Sequence, residues 1–202
     1  MLEFFLELDR QLFLFLNGLN NGFFDWLMFY ISQKYTWVPL YGLILFLVIK
    51  KYRWKGFYFA LFVTLLIVLS DQSSVWMKNT FMRFRPCHEP SLEGLVHIVR
   101  GKCGGRFGFV SSHAANTFAL ATFVTALLHD RYRFIGVVMF TYAILNGYSR
   151  IYLGVHYPGD VIFGSLLGAG IGIALAFLWG KVIGVYGGKR SKVKGQQSGL
   201  IP

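Results

Sequence analysis

Long apolar runs separated by clusters of basic residues constrain this chain more than any other feature. Residues 56–77, 109–128, 134–148 and 158–182 carry almost no charge. All but the third of these come close to the ~20 residues a helix needs to cross a hydrocarbon core of ~30 Å. Residues 37–49 form a shorter run behind Pro39, preceded by Asp25, Gln33 and Lys34. The pattern predicts an all-α fold, a polytopic membrane helix bundle with five transmembrane helices, or six if residues 11–32 also cross.

The remainder of the composition agrees. Apolar residues make up 55% of the 202, aromatics 18% and charged residues only 14%, which is wrong for an ordinary soluble domain. The formal net charge of +11 raises nucleic acid as a partner, so its location matters. It is concentrated at Lys50, Lys51, Arg53 and Lys55, at Arg131 and Arg133, and from Lys181 to Lys194. Each cluster sits just outside an apolar run, as the positive-inside rule describes for cytoplasmic loops, and no nucleic-acid stripe results.

At the N-terminus, Glu3, Glu7 and Arg10 share a narrow polar stripe against a broad Leu/Phe face, the pattern of a helix lying in the membrane interface. Asn17-Gly18 and Asn20-Asn21-Gly22 follow as a turn, so residues 1–22 read as interfacial helix and turn. The start Met-Leu-Glu has neither a basic region nor a small-residue cleavage site, and no cleavable signal peptide is expected. Residues 1–186 read as one membrane domain and residues 187–202, rich in Gly, Ser, Lys and Gln, as a flexible basic cytoplasmic tail. Gly164, Gly168 and Gly172 mark one face of the last run for close helix packing, within the bundle in preference to between protomers.

If the basic loops are cytoplasmic, alternation places the other loops outside, including the long one over residues 78–109. Three polar blocks then meet at that outer face: Lys78 with Arg85-Pro86, Ser111-Ser112-His113, and Ser149-Arg150 followed by His156 and Asp160. A phosphomonoester carries about two negative charges near neutral pH, and fixed cations suit it. Arg85 and Arg150 each offer a planar fork and Lys78 a mobile point charge. Taken singly, each would read as an interfacial residue reaching for headgroups. Ser111 and Ser112 at a helix N-terminus offer hydroxyls and free N–H groups to an anion, and would otherwise be an ordinary cap. His113, in the first turn, can protonate a leaving oxygen. Asp160, four residues after His156, can accept the proton of one ring nitrogen and leave the other nitrogen's lone pair for attack. Pro158 suits the first position of the helix that follows. No metal site is expected: His88, Glu89, His97 and His113 have irregular spacing and no zinc signature appears.

In these three blocks the chain resembles the type 2 phosphatidic acid phosphatase superfamily, over roughly residues 56–182. The resemblance implies an integral membrane lipid phosphatase with His156 as nucleophile, forming a phosphohistidine, Asp160 as its orienting partner and His113 as general acid. It makes Lys78, Arg85, Ser111, Ser112 and Arg150 the phosphate cradle and implies no metal or cofactor. Ser112 departs from the pattern, since members commonly have glycine there. The implied partner is a lipid phosphate at the outer face of a bacterial inner membrane. Undecaprenyl diphosphate is the first choice of substrate, ahead of phosphatidylglycerophosphate, phosphatidate and lipid A 1-phosphate. The rival class is a protein that binds or transports an anionic lipid without chemistry.

Two further features stand apart. Asp71 is an ionisable group within a span, which costs at least ~2.5 kcal/mol on insertion scales and calls for a partner. It lies seven residues before Lys78 and is expected to support a cationic or polar group beneath the site. Cys87 and Cys103 share one polar loop; they form a single bridge if the loop faces an oxidising compartment, and are two free thiols otherwise.

Overall fold

The computed structural model describes residues 1–184; the expected tail lies outside the described residues. Seven helices account for most of the described chain: α1 (Leu2–Gly18), α2 (Gly22–Ile31), α3 (Val38–Tyr52), α4 (Phe57–Phe81), α5 (Ser112–Leu128), α6 (Ile135–Tyr152) and α7 (Pro158–Val182). The fold is all-helical among the described residues, with only an isolated bridge between Phe84 and Phe107.

Helix ends follow local chemistry. Asn21 caps α2 by accepting the N–H of Phe24, Ser111 caps α5 by accepting that of Ala114, and Pro158 opens α7. The last two devices set the direction of both helices at the polar end of the bundle. The break at residues 19–21 divides the 11–32 stretch, leaving α2 only ten residues long, about 15 Å of helix. Helices α4 and α6 continue past their apolar runs to Phe81 and Tyr152. Lys78 and Arg150 therefore remain helical and present their side chains inward, where the apolar pattern alone placed them at a boundary.

Helix α7 packs on α5 most closely of all. A Cβ on Gly164 would lie 2.6 Å from the Ser111 carbonyl oxygen, and one on Gly172 would lie 2.6 Å from that of Ala119, with Gly168 against Ala115 in the same way. The glycine face is thus spent inside the bundle, as small residues allow where two backbones must approach. Farther along the same helices, Phe59, Phe62, Phe123 and Trp179 form an aromatic core, with Phe62 and Trp179 edge to face at 5.2 Å. Outward faces stay apolar: Leu61, Leu65 and Val68 on α4, and Ile162, Leu166 and Ile173 on α7, are exposed. Helix α7 and the Lys34–Phe81 stretch are long and apolar enough to cross a membrane, with mean hydropathies of 2.3 and 1.6.

The bundle has two unlike ends. At one end Lys51 bonds Asp130 and the Leu127 carbonyl, and Lys55 bonds the Ile183 carbonyl, so the basic loops there also tie neighbouring helices together. At the other end the 82–111 segment folds over the helix termini, and Cys87 is bonded to Cys103. Helix α1 lies against this second end. Its Phe13 and Asn17 are buried while Phe4, Phe5, Leu8, Leu12 and Phe15 face outward, which fits an amphipathic helix seated at an interface. Asn17 donates to the Tyr152 carbonyl at 2.8 Å and accepts the His97 N–H at 2.8 Å.

Candidate active site

The polar end holds a cavity of about 570 Å³ with Arg85, Ser112, His113, Arg150 and His156 on its wall. Arg85 comes from the 82–111 segment, and four further elements deliver the rest together with Lys78, which bonds Ser112. Lys78 comes from the last turn of α4, Ser112 and His113 from the first turn of α5, Arg150 from the last turn of α6, and His156 from the five-residue link into α7. Arg85 and His156, far apart in sequence, thus face one space because helix ends of alternating direction meet there, with Lys78 bonded to Ser112 beside it.

His156 is only 2% exposed. Its Nδ1 lies 3.2 Å from Asp160 Oδ2, and the backbone of Gly108 is a second partner of the ring. The Asp160 carboxylate accepts, so Nδ1 carries the proton and Nε2 keeps its lone pair, the tautomer a nucleophilic imidazole needs. Burial, followed by the charges of Arg85, Arg150 and Lys78, holds the His156 imidazole well below its ordinary value, so it is neutral at neutral pH. Gly108 is required here: a Cβ would lie 2.9 Å from Asp160 Oδ2 and 3.1 Å from Arg85 Cγ.

Asp160 is fully buried behind His156. Its Oδ2 also accepts the Tyr157 N–H at 3.1 Å, and its backbone oxygen accepts the Ser111 N–H at 2.9 Å. The second contact locks the start of α5 to the start of α7. His113 stands exposed on the cavity wall that also carries His156.

Each cation is partly committed. Arg85 donates from Nε to the Phe107 carbonyl at 3.2 Å and from Nη1 to that of Cys103 at 3.1 Å, leaving Nη2 as the arm for an anion. Burial lowers its pKa and the Asp160 charge acts against that fall, and a guanidinium stays charged throughout. Arg150 donates from Nη1 to Ser32 Oγ at 2.5 Å, while its buried Nε has no partner among the described residues. A buried donor without an acceptor is costly, and an anion in the cavity would satisfy it. Lys78 Nζ lies 2.5 Å from Ser112 Oγ, which in turn lies 2.6 Å from Ser74 Oγ. At the position where glycine was expected, Ser112 therefore tethers the lysine.

Of the residues picked out from the sequence, His156, His113, Asp160, Lys78, Arg85, Ser112 and Arg150 come together. Ser111 does not reach the cavity: it is fully buried and its hydroxyl is the cap of α5. Asp71 lines the cavity with Asn116, and its charge acts on Lys78. Among the described residues one grouping has metal-ligating types close together, Cys87, His88 and Cys103. Its two sulfurs are bonded to each other, and thiolate ligation would require them reduced.

Sequence reasoning passed over Ser32, Arg83 and Asp9. Ser32 holds Arg150. Arg83 bonds both Asp160 and Asp9. Asp9 was hidden among the charges of α1, yet it stands four residues before Phe13 and eight before Asn17, on the face that docks. That spacing was the available signal.

Residues 53–183 match the model of the PAP2 superfamily. The chain is 41% identical to a lipid A 4'-phosphatase of Bacteroides thetaiotaomicron over 83% of its own length and 75% of the relative's. It is 37% identical to a lipid A 4'-phosphatase of Porphyromonas gingivalis, over 85% of this chain and 72% of that one. An undecaprenyl-diphosphatase of Sulfolobus acidocaldarius is 28% identical, over 80% of this chain and 73% of the relative. Among solved structures, Aquifex aeolicus LpxE superimposes with a TM-score of 0.64 at 29% identity, over 83% of this chain and 94% of that one. The transmembrane PAP2-type phosphatidylglycerolphosphate phosphatase of Bacillus subtilis shares the fold, with a TM-score of 0.66 at 23% identity, over 87% of this chain and 86% of that one. The chain belongs to the PAP2 superfamily, as a membrane-embedded phosphatase.

Proposed function

We propose that this chain removes the 4'-phosphate of lipid A through a phosphohistidine on His156. The observation that carries the chemistry is the buried His156–Asp160 pair, its imidazole neutral and with Nε2 free, facing a cavity walled by two arginines and His113. His156 Nε2 attacks phosphorus as the bond to the sugar oxygen breaks, and His113 gives that oxygen its proton. Water then attacks the phosphohistidine, His113 takes a proton from it, and inorganic phosphate leaves with His156 restored. Arg85 Nη2, Arg150 Nε and Lys78 hold the non-bridging oxygens throughout, and stabilise charge where it builds up in the transition state.

The choice of lipid rests on relatives. The two at 41% and 37% identity carry the lipid A name, and they favour it over undecaprenyl diphosphate, the first choice from sequence layout. The relative at 28% keeps undecaprenyl diphosphate as the second reading. Five crossings, α3 to α7, with the cavity on the periplasmic side of an inner membrane fit the basic loops at the opposite end; the ten-residue α2 is too short to be a sixth.

The test is phosphate release by purified protein from lipid A, undecaprenyl diphosphate, phosphatidylglycerophosphate and phosphatidate, with mass spectrometry locating the phosphate lost. Faster turnover of lipid A with loss at the 4' position is expected. Loss at the 1 position, or faster turnover of another lipid, overturns the assignment. Lipid binding without release by wild type, retained in His156→Ala, overturns the phosphatase reading in favour of carriage.

A further inference from the structure

We propose that Arg83 and Asp9 are positioning residues, a two-carboxylate clamp through which the N-terminal helix α1 holds Asp160 in register with His156. This rests on the phosphohistidine reading and adds to it a contribution from outside the family-matched residues 53–183.

The contacts form a closed chain. Arg83 Nη1 donates to Asp160 Oδ1 at 3.0 Å, and Arg83 Nη2 donates to Asp9 Oδ2 at 2.7 Å. Asp9 Oδ1 accepts the Gly159 N–H at 2.7 Å. The two oxygens of Asp160 are thereby divided: Oδ2 serves His156 and the Tyr157 N–H, and Oδ1 serves Arg83. A fully buried carboxylate oxygen stripped of its donor bears the full desolvation cost, so without Arg83 the group is free to turn away from the imidazole. The guanidinium is itself fixed, 4.0 Å over the Tyr157 ring, and that ring packs on Phe13 of α1 at 5.4 Å. Gly159 leaves the room for Asp9: a Cβ there would lie 2.8 Å from Asp9 Oδ2. None of these residues lines the cavity, so the clamp touches substrate only through His156.

The charges around the pair come from every element packed on it: Lys78 of α4, Arg85 of the 82–111 segment, His113 of α5, Arg150 of α6, and Arg83 with Asp9 behind. Removing the Arg83 cation makes proton uptake by the His156–Asp160 pair easier. The acidic limb of kcat against pH then moves to higher pH. Removing the Asp9 anion leaves Arg83 unopposed and moves the limb the other way. A merely structural clamp would not shift the limb in opposite directions.

The experiment compares wild type with Arg83→Gln, Arg83→Lys and Asp9→Asn on the lipid phosphate that wild type turns over best. In Arg83→Gln, kcat is expected to fall about 10- to 100-fold, the range for losing a group that orients a reactive histidine, with KM within about twofold; Arg83→Lys restores part of it. The limbs should move up in Arg83→Gln and down in Asp9→Asn. An unchanged kcat and limb in both, or losses of kcat that track a falling melting temperature with no limb shift, overturns the clamp. Nitrogen NMR of labelled His156 reads the same two shifts without turnover. An inactive wild type would sink the phosphatase reading while these titrations still decide the clamp.

Discussion

As the proposed nucleophile, His156 has to be unprotonated, and its surroundings arrange that. Because burial and three cations depress its pKa, it stays neutral as pH falls through its ordinary value of 6.5. The acidic limb of kcat/KM should therefore lie below pH 6.5, measured from initial rates of phosphate release; a limb above it would mean that the cations do not act on the ring. His156→Ala should lower turnover more than about a thousandfold, since the residues of such a site act as a unit. Release should continue in chelator and stop with vanadate. The chemistry at this scale was largely legible, because each role needs a particular residue type at a particular spacing. Ser111 shows the limit. A hydroxyl at a helix start suits an anion or a cap equally well, and only the burial of Ser111, 0% exposed with its Oγ on the Ala114 N–H, marks it as the cap.

Among elements, the 82–111 segment and the α5–α7 pair matter most. Cys103 offers its carbonyl to Arg85 and its sulfur to Cys87, so the bridge restrains one wall of the cavity. By loop entropy a closure of 16 residues stabilises by about 3 kcal/mol. Cys103→Ser should lower the melting temperature and raise KM several-fold, read by a thermal-shift assay and by rates against substrate concentration. A Gly168→Leu change forces α7 off Ala115, and overpacking of this kind costs about 1–3 kcal/mol or more. Lower thermal stability with loss of activity is expected, while Gly170→Ala, where a Cβ meets open space, should be silent. Apolar periodicity revealed these helices and the glycine face. It could not show that α4 and α6 run on beyond their apolar stretches, because the residues that extend them are polar on account of the cavity.

For the molecule as a whole, the two unlike ends carry the prediction. A cysteine placed at Leu95, exposed beside the cavity end, should react with an impermeant reagent added outside intact spheroplasts. One placed at His129, in the α5–α6 turn, should react only after lysis. The reverse pattern would invert the orientation. That the two ends differ was readable from the basic loops, since charge asymmetry is a property of sequence. The docking of α1 and α2 was not, because Arg83 meets Asp9 across 74 residues and Arg150 meets Ser32 across 118, and no local pattern encodes such distances.

Ser32, Gln33 and Lys34, at the end of α2, stand on the wall of the cavity, yet they precede the matched residues 53–183. The stretch before the matched residues thus supplies part of the cavity wall and, through Ser32 on Arg150 and Asp9 on Arg83, part of its support. Exchanging the first 37 residues between relatives with different lipids should therefore move kcat together with the headgroup admitted, because Asp9 and Ser32 travel with that stretch.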